Sequence, residues 1–291
     1  MTIIVVILIL ISAVLATSWN YILKKVINQG GDSVTLYWSS SIINLILFLI
    51  PFFSFFLFFK INLSGLFFAA LSGFFMSFYV IFLSKSYQHG DLSLVFPLTK
   101  ITPIFTLIIG IFLLNEDISP LQISGIFLIV LGAYAINSKK FTINNLFKPL
   151  VSLKHQASFL AVLAAIMSAL YGLSFKLGST KINFFMLVYL TYFFFVIFYT
   201  PFLSIKKNNL LSQFKKFKTQ IIAIALLNFF SFNLVIIALS ISTLSYVFAF
   251  RQVSILFTVI LGIYLLKEKY GTIRIISSII ILIGLILVSV F

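Results

Sequence analysis

Ten apolar runs, each near the length a helix needs to cross a bilayer, leave this chain few possible folds. The hydrocarbon core is about 30 Å thick, and a helix rising 1.5 Å per residue crosses it in about 20 residues. The runs fall near 2–23, 34–58, 63–84, 92–114 and 119–137, then near 158–176, 182–204, 219–241, 243–266 and 272–291. Soluble domains are about 25% charged, whereas this chain is 9% charged, 62% hydrophobic and has a mean hydropathy of +1.22. A water-soluble globular fold is excluded; the fold class is an all-α polytopic membrane protein with ten transmembrane helices. Tight breaks at Asn115-Glu116-Asp117 and Lys267-Glu268-Lys269 predict helical hairpins. The segment from Thr2 to Ala16, ending in Val14-Leu15-Ala16, reads like a cleaved signal. It lacks a basic leader and continues past signal length, so a retained helix is expected.

Twenty Lys and Arg against five Asp and Glu give a net charge of +15. In a soluble chain that balance points to nucleic acid. Here the basic residues sit in the breaks, where they orient spans and meet anionic headgroups, so the partner is the lipid bilayer and no nucleic acid is expected. Ten spans place fifteen basic residues and three acids on one side. The other side has Lys60, Lys176 and Lys181 against Glu116 and Asp117. The positive-inside rule predicts a cytoplasmic rich side with both termini outside, and the opposite orientation stays open. The chain has no cysteine, which removes disulfides and thiolate chemistry.

The chain is also built twice. A shift of 152 residues aligns Ser93–Gly132 with Ser245–Gly284, with identities at Phe105/Phe257, Thr106/Thr258, Gly110/Gly262, Glu116/Glu268 and Gly132/Gly284. It pairs Trp19 with Tyr171 and Lys24 with Lys176. Two unrelated apolar helices would match Leu with Ile, not a Gly, a Thr and a loop Glu in one register. The units are residues 1–138, a basic linker at 139–157, and 158–291. Each repeat holds five spans, and an odd number inverts the second copy relative to the first. Inverted repeats are the plan of many secondary transporters, whose site lies near the midplane.

The order of elements within each repeat resembles a known family. Span 1 carries Ala16-Thr17-Ser18-Trp19-Asn20, followed by Lys24. Span 4 reads Pro97, Thr102-Pro103-Ile104-Phe105-Thr106 and Gly110 before Glu116, and span 5 carries Gln122, Gly125 and Gly132. The chain is similar to EamA-type transporters of the drug/metabolite transporter superfamily over nearly its whole length. Asn115 and Lys267 stand where that family usually has Gly before the Glu, and Ile255 stands where the second repeat would match Pro103. The resemblance implies transport of small metabolites by a multi-pass protein of a bacterial inner (plasma) membrane, and it names no substrate.

Most basic residues lie at span ends and can snorkel. Lys100 and Arg251 instead lie eight residues into spans 4 and 9, about 12 Å below opposite faces. Under the repeat offset Arg251 matches Thr99 and Lys100 matches Gln252. A cation at that depth costs at least about 2.5–3.5 kcal/mol and needs a wet cavity or a partner. No acid lies deep in any span, so either the cations bond backbone carbonyls or they line a cavity that attracts a carboxylate or phosphate. Thr99, Thr102 and Thr106, with Arg251, Ser254 and Thr258, form one polar stripe per span, which can also serve the helices' own carbonyls. Pro97 and Pro103 predict a kink in span 4. Trp19, Tyr79, Tyr171 and Tyr246 are candidate aromatic walls, although such residues also form interfacial belts. Gly125 and Gly132, matched by Ser277 and Gly284, suit close packing between halves or in a dimer. Glu116 and Glu268 read as structural, bonding turn amides.

The sequence therefore favours a secondary transporter of a small anionic or zwitterionic metabolite, such as an amino acid or nucleotide-like molecule, working by alternating access as a monomer or homodimer. A flippase of a lipid-linked anionic substrate is the alternative. His89 and His155 lack metal-ligand spacing and no catalytic constellation stands out, so neither an enzyme, a metal nor a cofactor is expected.

Overall fold

The computed structural model describes residues 2–89, 98–135, 156–204, 210–257, 259 and 272–290. Pro97, Thr258, most of the basic linker and the turn around Glu268 lie outside them. The described helices are α1 (Ile3–Asn28), α2 (Ser33–Leu47), α3 (Leu49–Phe58), α4 (Leu63–His89), α5 (Thr102–Leu114), α6 (Pro120–Ala135), α7 (Gln156–Ser179), α8 (Phe184–Ser204), α9 (Leu210–Ile241), α10 (Leu244–Phe250) and α11 (Thr272–Val290). No strand occurs among the described residues. Five helices, α1, α4, α7, α8 and α9, are each long and apolar enough to cross a membrane. Helices α2 and α3 do so as a pair bent by 53°. Pro51, which has no N–H to offer the Leu47 carbonyl, accounts for that bend. The other four spans are shorter apolar helices, Thr102–Leu114, Pro120–Ala135, Leu244–Phe257 and Arg274–Ser289. Together these helices fit ten spans in two repeats.

The principal packing runs between the repeats rather than within them. Helix α4 lies on α7, α6 on α11, α1 on α9, and α8 on both α4 and α2. As spans these pairs are 3 with 6, 5 with 10, 1 with 8, 7 with 3, and 7 with 2. Advancing each span by five turns 3–6 into 8–1 and returns 5–10 to itself, as a two-fold relation between repeats requires. The faces also alternate as inversion demands. Asn62, after span 2, donates its side-chain N–H to Lys181 O at 3.1 Å. Its counterpart, residue 214, adjoins Gln213, which accepts the Asp32 N–H on the opposite face.

Between helices already in lipid there is little hydrophobic gain, so close approach and hydroxyl bonds matter more. On α1 and α9, Ser12 and Ser231 bond each other's carbonyls at 3.0 Å. On α6 and α11, a Cβ placed on Gly284 would stand 2.6 Å from Gly125 O, and one on Gly132 would stand 2.7 Å from Ser277 O. The small residues noted in the sequence thus join the two halves. Phenylalanine contributes internally as well as toward lipid: Phe48 stacks on Phe229 at 3.8 Å and Phe55 on Phe185 at 4.9 Å, docking α2–α3 against α8 and α9.

Candidate functional site

Spans 4 and 9 are both interrupted at the repeat-related positions that carry the deep cations. In span 4, residues 98–99 are helical, the chain turns at Lys100-Ile101, and α5 begins at Thr102. Pro103 has no N–H for the Thr99 carbonyl, and the Thr102 hydroxyl donates to it instead at 3.2 Å. In span 9, α10 ends at Phe250, Arg251-Gln252 form the turn, and residues 253–257 resume the helix. No proline stands there. Tight i to i+3 bonds carry the chain through, from Ser254 N to Arg251 O at 3.1 Å and Ile255 N to Gln252 O at 2.9 Å. Thr17 on α1 donates its hydroxyl to Ser254 O at 3.2 Å. The kink expected of span 4 alone therefore occurs in both spans.

The breaks keep their polar residues from being sealed in. Thr99, Lys100, Arg251, Gln252 and Ser254 are half-buried, whereas Leu98, Phe250 and Val253 beside them are buried. Lys100 and Arg251 lie within Coulombic reach of each other, and Tyr79 and Tyr192 within reach of Arg251. These residues therefore face one interior region. The Arg251 guanidinium lies over the Phe232 ring at 5.2 Å, a favourable cation–π geometry. Tyr171 links the rings, with centroids 5.9 Å from Tyr79, 6.4 Å from Phe232 and 6.0 Å from Phe248. Tyr192 extends this row of rings, 6.3 Å from Phe232. The described acids, Asp32, Glu116 and Asp117, all lie at helix ends. The centre thus brings one positive charge from each repeat near a row of aromatic rings. The planar guanidinium of Arg251 offers a fork of N–H donors.

Of the residues singled out from sequence, Lys100, Arg251, Tyr79 and Tyr171 lie near one another, and Thr99, Thr102 and Gln252 lie in the two helix breaks. The hydroxyls of Thr99 and Tyr87 are bonded to each other, and Ser254 presents its carbonyl to α1. Trp19 stands one ring away: it packs edge-on against Tyr37 at 6.1 Å, and its buried indole N–H has no partner. Tyr246 goes elsewhere, donating its hydroxyl to Gln122 Oε1 on α6. Phe232 and Tyr192 emerge only from the structure. Tyr192 was open to sequence reasoning, since a Tyr ten residues inside span 7 cannot belong to an interfacial belt. Phe232 was not, being one of 37 phenylalanines. A shallow depression of about 560 Å³ on Ser119, Pro120, Leu121 and Ser124 lies apart from the cations. Among the described residues no cluster of His, Asp or Glu could hold a metal ion.

Interrupted helices meeting from two inverted repeats define a class of integral-membrane transport proteins. The EamA-like transporter family model matches residues 3–138 and again 155–290, and the chain belongs to that family. It is a multi-pass membrane transporter of small molecules. No curated protein matches the chain significantly. Twenty-nine solved chains do. One crystal structure superposes with a TM-score of 0.68 at 10% identity, covering 98% of this chain and 96% of the other, a likeness of fold alone.

Proposed function

We propose that this protein is a secondary transporter of a small organic anion or zwitterion, bound between Lys100 and Arg251 and exposed alternately to the two sides. The observation that carries the reading is the proximity of two cations, one from each interrupted span, with Arg251 over Phe232 in a row of rings that includes Tyr79, Tyr171 and Tyr192. A carboxylate or phosphate would take the paired charge, and an apolar or planar remainder would lie against the rings.

The packing argues against the simplest version of alternating access, in which one repeat rocks against the other. The seams α4–α7, α1–α9 and α6–α11 all join the repeats, so such rocking would break them together. The movable groups are instead mixed: spans 3, 4 and 6 on one side, spans 8, 9 and 1 on the other. Each group carries one interrupted span and hence one cation, so relative motion opens the centre to alternate faces.

The test is uptake of candidate amino acids and nucleotide-like anions into proteoliposomes. A charge-assisted hydrogen bond is worth about 1.5–3 kcal/mol, so Arg251→Met should raise KM about tenfold to a hundredfold. Arg251→Lys, which keeps charge but not the fork, should fall between. Unchanged anion uptake in both Lys100→Met and Arg251→Met would remove these residues from the site. Movement of a lipid-linked headgroup without exchange of any soluble metabolite would identify a flippase instead.

A further inference from the structure

Helix α10 is a strut about 10 Å long, seven residues from Leu244 to Phe250. Arg251 caps its inner end, at the binding centre. Its outer end is held by the other repeat. Glu116, in the turn after α5, accepts the Leu244 N–H on Oε1 at 2.5 Å. Its Oε2 accepts the Ser245 N–H at 3.2 Å and the Ser245 hydroxyl at 2.6 Å. Ser245 Oγ also lies 3.2 Å from Thr106 O on α5. The next residue, Tyr246, bonds Gln122 of α6. Lys176, within Coulombic reach of Glu116, donates to Leu239 O at 2.6 Å and Ser242 O at 2.5 Å, fixing the turn that leads into α10. Leu244 and Ser245 are fully buried at this contact.

A carboxylate capping a helix is ordinary when it comes from the adjoining turn. This one arrives from 128 residues away, in the opposite repeat, and grips the half-helix that carries Arg251. The participants also recur as a set. Gly110, Glu116, Lys176 and Ser245 have Gly262, Glu268, Lys24 and Ser93 as their counterparts under the 152-residue offset, each identical in type. Apart from Lys24, that second set lies outside the described residues.

We propose that Glu116 is a release latch: bound to Leu244 and Ser245 it pins α10, and with it Arg251, in the conformation closed on this face, and it lets go each time this face opens. The inference rests on alternating access but not on the charge of the substrate. A packing joint would stay made throughout the cycle; a latch must be weak enough to break, and hydrogen bonds at a half-buried carboxylate are.

The chain has no cysteine, so a Gln252→Cys reporter at the binding centre is the only thiol. In sealed proteoliposomes, a membrane-impermeant methanethiosulfonate is added to the face bearing the 115–119 turn. Loss of one charge-assisted bond shifts an open–closed equilibrium by about tenfold, so Glu116→Gln should label about tenfold faster from this face. Labelling from the opposite face should be no faster. Ser245→Ala, which keeps the carboxylate, should act in the same direction by less and serves if Glu116→Gln fails to fold. Unaltered labelling in folded variants, or equal acceleration from both faces, overturns the latch. Because labelling needs no substrate, failure of the Arg251 uptake test would sink the binding site and leave this result standing.

Discussion

Replacing Gly110 with alanine probes the Glu116–Ser245 contact while sparing the fold. A Cβ at position 110 would stand 2.3 Å from Glu116 Oε2, 2.3 Å from Ser245 Oγ and 3.0 Å from Glu116 Cδ. Ordinary contact begins near 3.4 Å, so these atoms must retreat by about 1 Å. They are ends of side chains and can move without displacing backbone. A 2.6 Å hydroxyl–carboxylate bond stretched by about 1 Å is no longer a hydrogen bond. Charge-assisted bonds contribute about 1.5–3 kcal/mol, and water reaching the half-buried carboxylate keeps the loss near the low end. Alanine inside α5 returns about 1 kcal/mol of helix propensity. The expected net cost is therefore below about 1 kcal/mol, a small shift in the melting temperature of the detergent-solubilised protein. Labelling of Gln252→Cys should nonetheless accelerate several-fold. Labelling at the parental rate would refute the reasoning. So would a destabilisation above about 3 kcal/mol, because then the α5–α10 backbones rather than the latch would have moved.

Other expectations follow from the seams and turns. Gly284→Leu should destabilise the protein by about 1–3 kcal/mol in a detergent melt, because the obstacles, Ile129 Cγ1 among them, include Gly125 O and Ile129 N, backbone atoms that cannot yield. A variant as stable as the parent would mean α6 and α11 are not held that closely. Asn115 occupies the left-handed region at φ 49°, where the Glu116 N–H reaches back to Gly110 O at 2.8 Å. Asn115→Gly should be neutral or mildly stabilising, and Asn115→Val should cost about 1–2 kcal/mol by the same melt.

Hydropathy located the spans because each must satisfy its own backbone in lipid, a demand local to about 20 residues. The broken span 4 was equally readable, since Pro103 strips a donor from the helix at a fixed offset. Span 9 breaks at the corresponding place with Ile255 in that position. Its turn is supported through space by Thr17 on α1 and by Arg251 reaching Phe232, which no local pattern records. Asn115 fits the place where the family usually has Gly, since Asn tolerates a left-handed conformation better than most side chains. The repeat offset gave the symmetry but not the partners. Nothing in the residues 63–89 states that they pack on 156–179. The same gap hid the role of Glu116: a carboxylate bonding amides was foreseeable, but not that the amides belong to the other half.

The interleaving of the repeats also bears on how the chain is made. Helix α1 ends at Asn28, yet its main partner α9 ends at Ile241, more than two hundred residues later. At about 5–20 residues per second, α1 waits about 10–40 s in the bilayer before that neighbour exists. Helix α4 waits for α7, and α6 waits for the final helix. The first repeat therefore reaches the membrane as a set of spans without their mates, and the second acts as the template on which it assembles. Synthesised as two separate polypeptides divided within 139–155, the halves should each insert yet become resistant to protease only when made together.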